Sequence, residues 1–433
     1  MKEAIVARLH AASARGSVMA KAALHYDELE TRDPEQREGA QFAALRALIR
    51  EAKAKAPGWR RILKDVDPQL VRDRAALATL PLTRKSELVE LQRAAPPLGG
   101  LVTRAPSALR RIFASPGPIY DAEGAERDYW RLARALFAAG FRSGDLVHNS
   151  FSYHLTPAGA MLEDGAAALG CAVVPGGVGQ SELQVKTIVD LKPNGYTGTP
   201  SFLKILFDKA SELSADIGSL KRALVGAEAL PPSLRAELEG HGLSVLQCYA
   251  TADLGLIAYE SEAKEGMIVD EGVILELVRP GTGDPVAEGE VGEVVVSVLN
   301  PIYPLIRLAL GDLSALLPGQ SPCGRTGPRI KGWMGRADQT TKVRGMFVRP
   351  SQIAEVAKRH GEIVKARLVV DQKDRLDVAT LSCEVKGATT PALAQAIAES
   401  FLAIAKLRAT VTLVAPGTLP NDGKVIDDAR KYE

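Results

Sequence analysis

Cysteine is scarce in this chain. Only four occur in 433 residues, at positions 171, 248, 323 and 383, and no two form a C-x-x-C pair. That excludes a disulfide scaffold and offers no zinc-finger spacing. Reduced, buried thiols in a cytoplasmic protein are expected instead. Aromatic residues make up 5% of the chain, too few for a stacking platform that binds single strands. An excess of one charge is missing too: 54 Lys and Arg face 52 Asp and Glu, a net charge of +2. Nothing in that balance favours nucleic acid or an anionic membrane as a partner. Long apolar runs are absent. The most apolar region, Ala158 to Val178, is broken by Glu163, Asp164 and several glycines, so it does not span a bilayer. The N-terminal MKEAIVARLH carries charge inside its only apolar stretch, which argues against a secretory leader.

What remains is an ordinary globular composition, 46% hydrophobic and 24% charged. Disorder across the whole chain is excluded, and two or three folded units are expected at this length. Residues 1 to about 56 read as helical, with Phe42, Leu45, Leu48 and Ile49 at helical spacing and Pro57-Gly58 as the stop. Thr83 precedes a short helix with Ser86 and Glu87 in its first turn. From about 125 to 260, helices alternate with short apolar strands. Strands are expected at 145–149, 171–175 (buried), 195–198, 222–226 and 244–249. Helices are expected at 129–140, 158–169, 183–190, 201–210 and 231–239. Such βα alternation predicts an α/β fold with a mostly parallel sheet and helices on both faces. Ligands in such folds bind past the carboxyl ends of the strands. Beyond Ala258 the period changes. Strands at 273–278 and 293–298 flank the turn-rich 279–285, predicting an antiparallel hairpin or part of a small barrel. Past about 339 lies a β-α-β-type unit small enough to be a separate lid.

Several short motifs follow these strands. Gly226-Ala227-Glu228 comes directly after one, where glycine lets a ligand approach the backbone. Tyr249-Ala250-Thr251-Ala252-Asp253 follows the next. It groups an aromatic face that can stack on a base, a hydroxyl that can bond a phosphate, and a carboxylate that can hold Mg²⁺. Each also has a plain structural reading, as a turn or as a core tyrosine with capping residues. Gly311-Asp312 ends an apolar run; its carboxylate could accept both hydroxyls of a ribose or could be a turn aspartate. Gly335-Arg336-Ala337-Asp338, Lys342 and Gly345 stand where the second unit begins, which suits a hinge. Asn421-Asp422-Gly423-Lys424 presents a lysine on a glycine-containing loop, available as a point charge or merely solvated.

In order, Gly-Ala-Glu, Tyr-x-Thr-x-Asp, Gly-Asp, Gly-Arg-x-Asp with a later Lys, and a terminal Gly-Lys resemble the adenylate-forming, AMP-binding enzymes. The likeness is greatest to phenylacetate–CoA ligases and covers almost the whole chain. Tyr26 to Glu30, Leu80-Pro81-Leu82-Thr83, Pro304 to Arg307, Cys323-Gly324-Arg325 and Val348 to Ile353 carry the subfamily resemblance. It implies a large N-terminal domain, 1–337, with a helical arm to about 80, an αβ core at about 110–260 and a β-rich part at about 265–330. A small mobile α+β lid, 338–433, would turn about a hinge near Asp338 and Lys342. It also implies two half-reactions. A small aromatic carboxylic acid and ATP give an acyl-adenylate and pyrophosphate, and coenzyme A then displaces AMP. By the same resemblance, Gly226, Ala227, Glu228, Tyr249, Ala250 and Arg336 border the nucleotide, with Tyr249 stacking on adenine. Thr251 contacts the α-phosphate, and Asp253, at a position usually Glu, lies near Mg²⁺. Asp312 binds ribose, Lys424 stabilises charge during adenylation, and Tyr153 and Gly159 border the acyl pocket. A homodimer is an open option.

The resemblance fails at one place. The family's Ser/Thr/Gly-rich phosphate loop, ending Gly-Lys-Pro, is here 111-RIFASPGPIY-120. Ser115 and Gly117 alone echo it, and Pro116 and Pro118 remove two backbone N–H donors of the kind a phosphate cradle uses. Cysteines and histidines that can hold zinc in relatives are also missing near 260–271 and at Ser321, so no zinc is expected. Two other readings therefore stay open at this point. One is a non-catalytic relative that binds nucleotide, acyl-CoA or carboxylate. The other is an adenylating enzyme with a different acyl acceptor.

Overall fold

A computed structural model describes residues 24–115, 118–337, 339, 341–343, 346–373 and 376–429. The first 23 residues of the expected helical stretch, Pro116, Gly117 and Asp338, expected at the hinge, lie outside the described residues. Within that stretch, the helix is Pro34–Lys55. Asp33 starts it by accepting from the Glu35 and Gln36 amides, which satisfies donors a first turn leaves free. Phe42, Leu45, Leu48 and Ile49 all face inward, none more than 6% exposed. Residues 24–33 are instead bends and a 3₁₀ turn, Glu28–Thr31. Their polar side chains are tied down by Arg134, Arg325 and Tyr259, which hold Asp27 and Glu30. Cys323-Gly324-Arg325 therefore belongs to the brace between this arm and the core.

The central sheet has nine strands. Five run parallel, in the spatial order Ala172–Pro175, Leu146–Asn149, Gly195–Gly198, Arg222–Val225, Ser244–Thr251. Gly255–Tyr259, Met267–Val269, Arg329–Ile330 and Leu316–Leu317 continue it antiparallel. The parallel part reverses its strand order between Leu146–Asn149 and Gly195–Gly198. A crevice for ligands opens at such a switch point. The strand expected to be buried at 171–175 is the edge of this sheet, and none of Ala172 to Pro175 is buried. Strand order, which its apolar composition does not encode, put it there. One helix differs from expectation: that placed at 129–140 is only Leu132–Ala138. The helix expected after Thr83 is Lys85–Ala94, with Ser86 and Glu87 in its first turn and Arg84 at its N-cap, since Thr83 and Arg84 pair with Leu308 and Ala309 as a short strand.

A second sheet joins Thr83–Arg84, Leu308–Ser314, Gly292–Val298 and Val273–Val278, the last two as the expected antiparallel pair. Arg307 at its base is 2% exposed. Its guanidinium bonds Glu276 and the carbonyls of Ala78, Leu80 and Gly283, so that arginine is a brace. The C-terminal part has its own sheet, in the order Thr410–Val414, Leu376–Val385, Ile363–Lys373, Ile426–Asp428, and its own core around Leu381, Ile397 and Phe401. Among the described residues, no helix is long and apolar enough to cross a membrane.

Candidate active site

At the switch point, Asn149 ends its strand and donates to the Tyr153 hydroxyl at 2.8 Å. Burial pushes that phenol's pKa up. A Cβ at Gly159 would stand 2.8 Å from the Tyr153 ring. Only glycine therefore lets the helix Ala158–Leu169 meet this ring, and the two residues expected at the acyl pocket do adjoin.

One step along the sheet, Gly226 follows Arg222–Val225. A Cβ there would be 3.0 Å from the Cys248 carbonyl, tight enough that the neighbouring strand would have to give by a few tenths of an ångström. Ala227 adopts φ +67°, and the Glu228 carboxylate accepts from the Ser201 amide at 2.6 Å. Glu228 thus engages the first turn of the helix Pro200–Glu212, where backbone donors are free.

Ser244–Thr251 carries Tyr249, Ala250 and Thr251, with a register shift between Tyr249 and Ala250. The Tyr249 hydroxyl donates to Asp312 at 2.7 Å. Asp312 is not a turn residue: it lies within the strand Leu308–Ser314. Its other oxygen accepts from Arg336 Nη1 at 2.7 Å and Trp333 Nε1 at 3.1 Å. Burial, reinforced by the Asp312 charge, pushes the Tyr249 pKa well above its ordinary range, so the phenol stays a donor. Thr251 Oγ1 donates to Asp253 at 3.2 Å. Two hydrogen-bonded groups, Tyr249–Asp312–Arg336 and Thr251–Asp253, therefore stand near one another at the strand ends, close enough for the Asp253 charge to act on Tyr249.

Two residues that sequence reasoning missed complete the site. Lys85 Nζ lies 2.5 Å from Asp253 Oδ1. Burial lowers the ammonium's pKa, but Asp253, Asp121 and Asp312 outweigh it and hold the pKa above its ordinary value. Asp121 is fully buried, and neither of its carboxylate oxygens has a hydrogen-bond partner. Burial and the nearby Asp253 raise its pKa to about 7, against the opposing effect of Ser115 and Lys85. A signal for Lys85 did exist. A lysine at the first position of a helix opposes the helix dipole, which is a reason to ask what holds it. Asp121 gave none, since an aspartate in 119-IYDAE-123 reads equally well as a solvent-facing strand residue.

The phosphate-loop region is a hairpin. Arg111–Ser115 pairs with Ile119–Glu123, and Ser115 and Ile119 are register partners. The Ser115 hydroxyl donates to the Ile119 carbonyl at 3.2 Å, which engages it within the hairpin.

Lys424 lies on the C-terminal loop and shares a cavity of about 320 Å³ with Arg336, Gln339 and Asp427. Its ammonium pairs with Asp427 at 2.7 Å, and that bond is the largest cause holding Asp427 below its ordinary pKa. No contact joins Lys424 to Thr251 or Asp253 among the described residues. Lys342 lies on Thr341–Val343, paired with Met346–Val348.

Comparison with known proteins adds the following. Residues 158–300 match the family model "AMP-binding enzyme". A phenylacetate–coenzyme A ligase of Thermus thermophilus is 32% identical over 84% of this chain and 84% of its own length. That of Escherichia coli is 29% identical over 83% and 85%. Among solved structures, an open conformation of 2-hydroxyisobutyryl-CoA ligase, in complex with 2-HIB-AMP and CoA, superposes with a TM-score of 0.71. It is 25% identical and covers 92% of this chain and 93% of its own.

Proposed function

This chain belongs to the phenylacetate–CoA ligase family of AMP-binding enzymes, and on that premise we propose that it joins a small aromatic carboxylic acid to coenzyme A through an acyl-adenylate. The observation that carries this reading is the pair of neighbouring bonds Tyr249–Asp312 and Thr251–Asp253 past the strand ends. Together these groups offer a ribose acceptor, a phosphate donor and a cation ligand.

The roles follow from the chemistry of each group. Asp312 takes the ribose hydroxyls, exchanging its bonds to Trp333 and Arg336 for them. Tyr249 and the Gly226-Ala227-Glu228 turn border the base. Thr251 donates to the α-phosphate. The acid lies toward Tyr153 and Gly159 with its carboxylate facing the α-phosphorus. A carboxylate oxygen attacks that phosphorus and pyrophosphate leaves. Lys424 offsets the negative charge that grows there, as preorganised cations do in such steps. Turning near Asp338 then exchanges Lys424 for the incoming thiolate, which attacks the acyl carbon and releases AMP.

Mg²⁺ suits the donors present. Asp253 and the unpartnered Asp121 are the hard oxygen ligands it takes alongside phosphates. When bound, it would draw charge from the polyphosphate. The non-catalytic alternative is not favoured, since the Thr251–Asp253 and Tyr249–Asp312 pairs persist, with Lys424 on a cavity that Arg336 also lines. A cytoplasmic location suits the four free cysteines.

The test is pyrophosphate release from ATP and Mg²⁺ across aryl and short aliphatic acids. Release with an arylacetate or benzoate-type acid, and CoA-thioester on adding coenzyme A, supports the reading. No release with any acid overturns it.

A further inference from the structure

Gln339 follows the hinge position, and its side-chain amide meets the loop that carries Lys424 at three points. Its Nε2 donates to the Gly423 carbonyl at 2.9 Å. Its Oε1 accepts from the Val425 amide at 2.5 Å and from the Ile426 amide at 2.7 Å. These groups bracket Lys424 on both sides in the chain. One planar amide thus fixes the backbone before and after the lysine. A carbonyl oxygen with two lone pairs and an NH₂ group are what this double demand requires.

The loop itself is built to be held. Gly423 adopts φ +72°, and a Cβ there would stand 2.5 Å from Val291 and 3.0 Å from Leu313. The Asn421 side chain meets the Val291 amide at 3.4 Å. Arg367 holds Asp422 from below at 2.7 Å. None of these contacts touches the backbone immediately after Lys424. Gln339 does, beside the bond from the Leu368 amide to the Val425 carbonyl, and it does so from the linker rather than from the C-terminal sheet.

We infer that Gln339 is a positioning residue for Lys424, fastening the lysine loop to the linker so that rotation near Asp338 delivers and withdraws the ammonium as one piece with the linker. Gln339 touches no reacting atom; it acts through the lysine. This rests on the role given to Lys424 above. A misplacement of about 1 Å in a group that must meet a reacting centre costs about 10²-fold in rate.

The experiment measures the half-reactions separately in the full chain. Adenylation is followed as acid-dependent exchange of labelled pyrophosphate into ATP, and thioester formation as transfer from a supplied acyl-adenylate to coenzyme A. Gln339→Ala is expected to lower adenylation by about 10–100-fold and to leave thioester formation within twofold. Gln339→Glu keeps the acceptor for both amides and is expected to recover most of the loss. In Gln339→Ala/Lys424→Ala, adenylation should be no slower than in Lys424→Ala, because groups acting as a unit are not additive. Equal loss in both half-reactions, no loss in either, or a double variant slower than Lys424→Ala overturns the inference. Lys424→Ala alone separates the two levels. If that variant adenylates normally, the role given to Lys424 is wrong and the clamp falls with it. If it does not, while Gln339→Ala does, the clamp alone is wrong. Melting temperatures of all four variants identify any general loss of folding.

Discussion

The Tyr249 hydroxyl and the Asp312 carboxylate, 63 residues apart in sequence, meet at 2.7 Å across two different sheets. That bond joins the end of the parallel sheet to the smaller one, and it fixes the carboxylate that is to receive ribose. Asp312 keeps two further donors, Arg336 and Trp333. Asp312→Ala is therefore expected to weaken AMP and ATP binding by about 1–3 kcal/mol, the range for lost charge-assisted bonds. Tyr249→Phe keeps the aromatic face and two of the three donors on Asp312, so its loss should be smaller. Calorimetry with AMP on the two variants checks the order; equal affinity in Asp312→Ala and the unaltered protein removes Asp312 from the site.

Two of the three residues between Ser115 and Ile119 are Pro116 and Pro118, which carry no backbone N–H to offer the β- and γ-phosphates. AMP and acyl-adenylate should consequently bind comparably to ATP. The check is competition between AMP and ATP with Mg²⁺. ATP binding more than tenfold tighter than AMP would show that the terminal phosphates have a grip elsewhere.

Asp121 gives the fold a pH dependence of known sign. Its pKa is raised from 3.8 to about 7 by burial and by Asp253. Between those values the folded state holds the proton more tightly than the unfolded chain. Stability from this group therefore falls as pH rises through that window, and the cost is complete above about 7. Asp121→Asn removes the cost. Its melting temperature should exceed the unaltered protein's at pH 8, and the difference should vanish near pH 4. A difference that grows toward low pH would contradict this.

Lys85 is the counter-charge of Asp253, whose side chain is wholly buried. Lys85→Met strands that carboxylate. We expect a loss of about 1–3 kcal/mol, below the roughly 3–5 kcal/mol of a fully buried pair because the lysine is partly exposed. Urea unfolding measures it. The Asp253→Asn, Lys85→Met double variant should recover part of the loss.

The fold was legible where periodicity decides it. Leu45 and Ile49 announce a helix, and the alternation from Leu146 to Thr251 announces a parallel sheet. Burial was less legible, because it depends on neighbours rather than on the segment. Ala172 to Pro175 are apolar yet lie on an edge, while Asp121 is polar yet fully buried. The same reason hid half the site. Tyr249, Thr251 and Asp253 are close in sequence and could be read together. Lys85, Asp121 and Gln339 reach their partners only through the fold.

The central claim, an acyl-adenylate on the way to a CoA thioester, is tested most directly with a carboxylic acid labelled with ¹⁸O in its carboxylate. The acid's oxygen forms the bond to the α-phosphorus and stays there when the thiol displaces AMP. Mass spectrometry of the products should find one ¹⁸O per AMP, with unlabelled pyrophosphate and one CoA thioester formed for each AMP. Label in inorganic phosphate with ADP as the nucleotide product, or AMP carrying no label, would contradict the account.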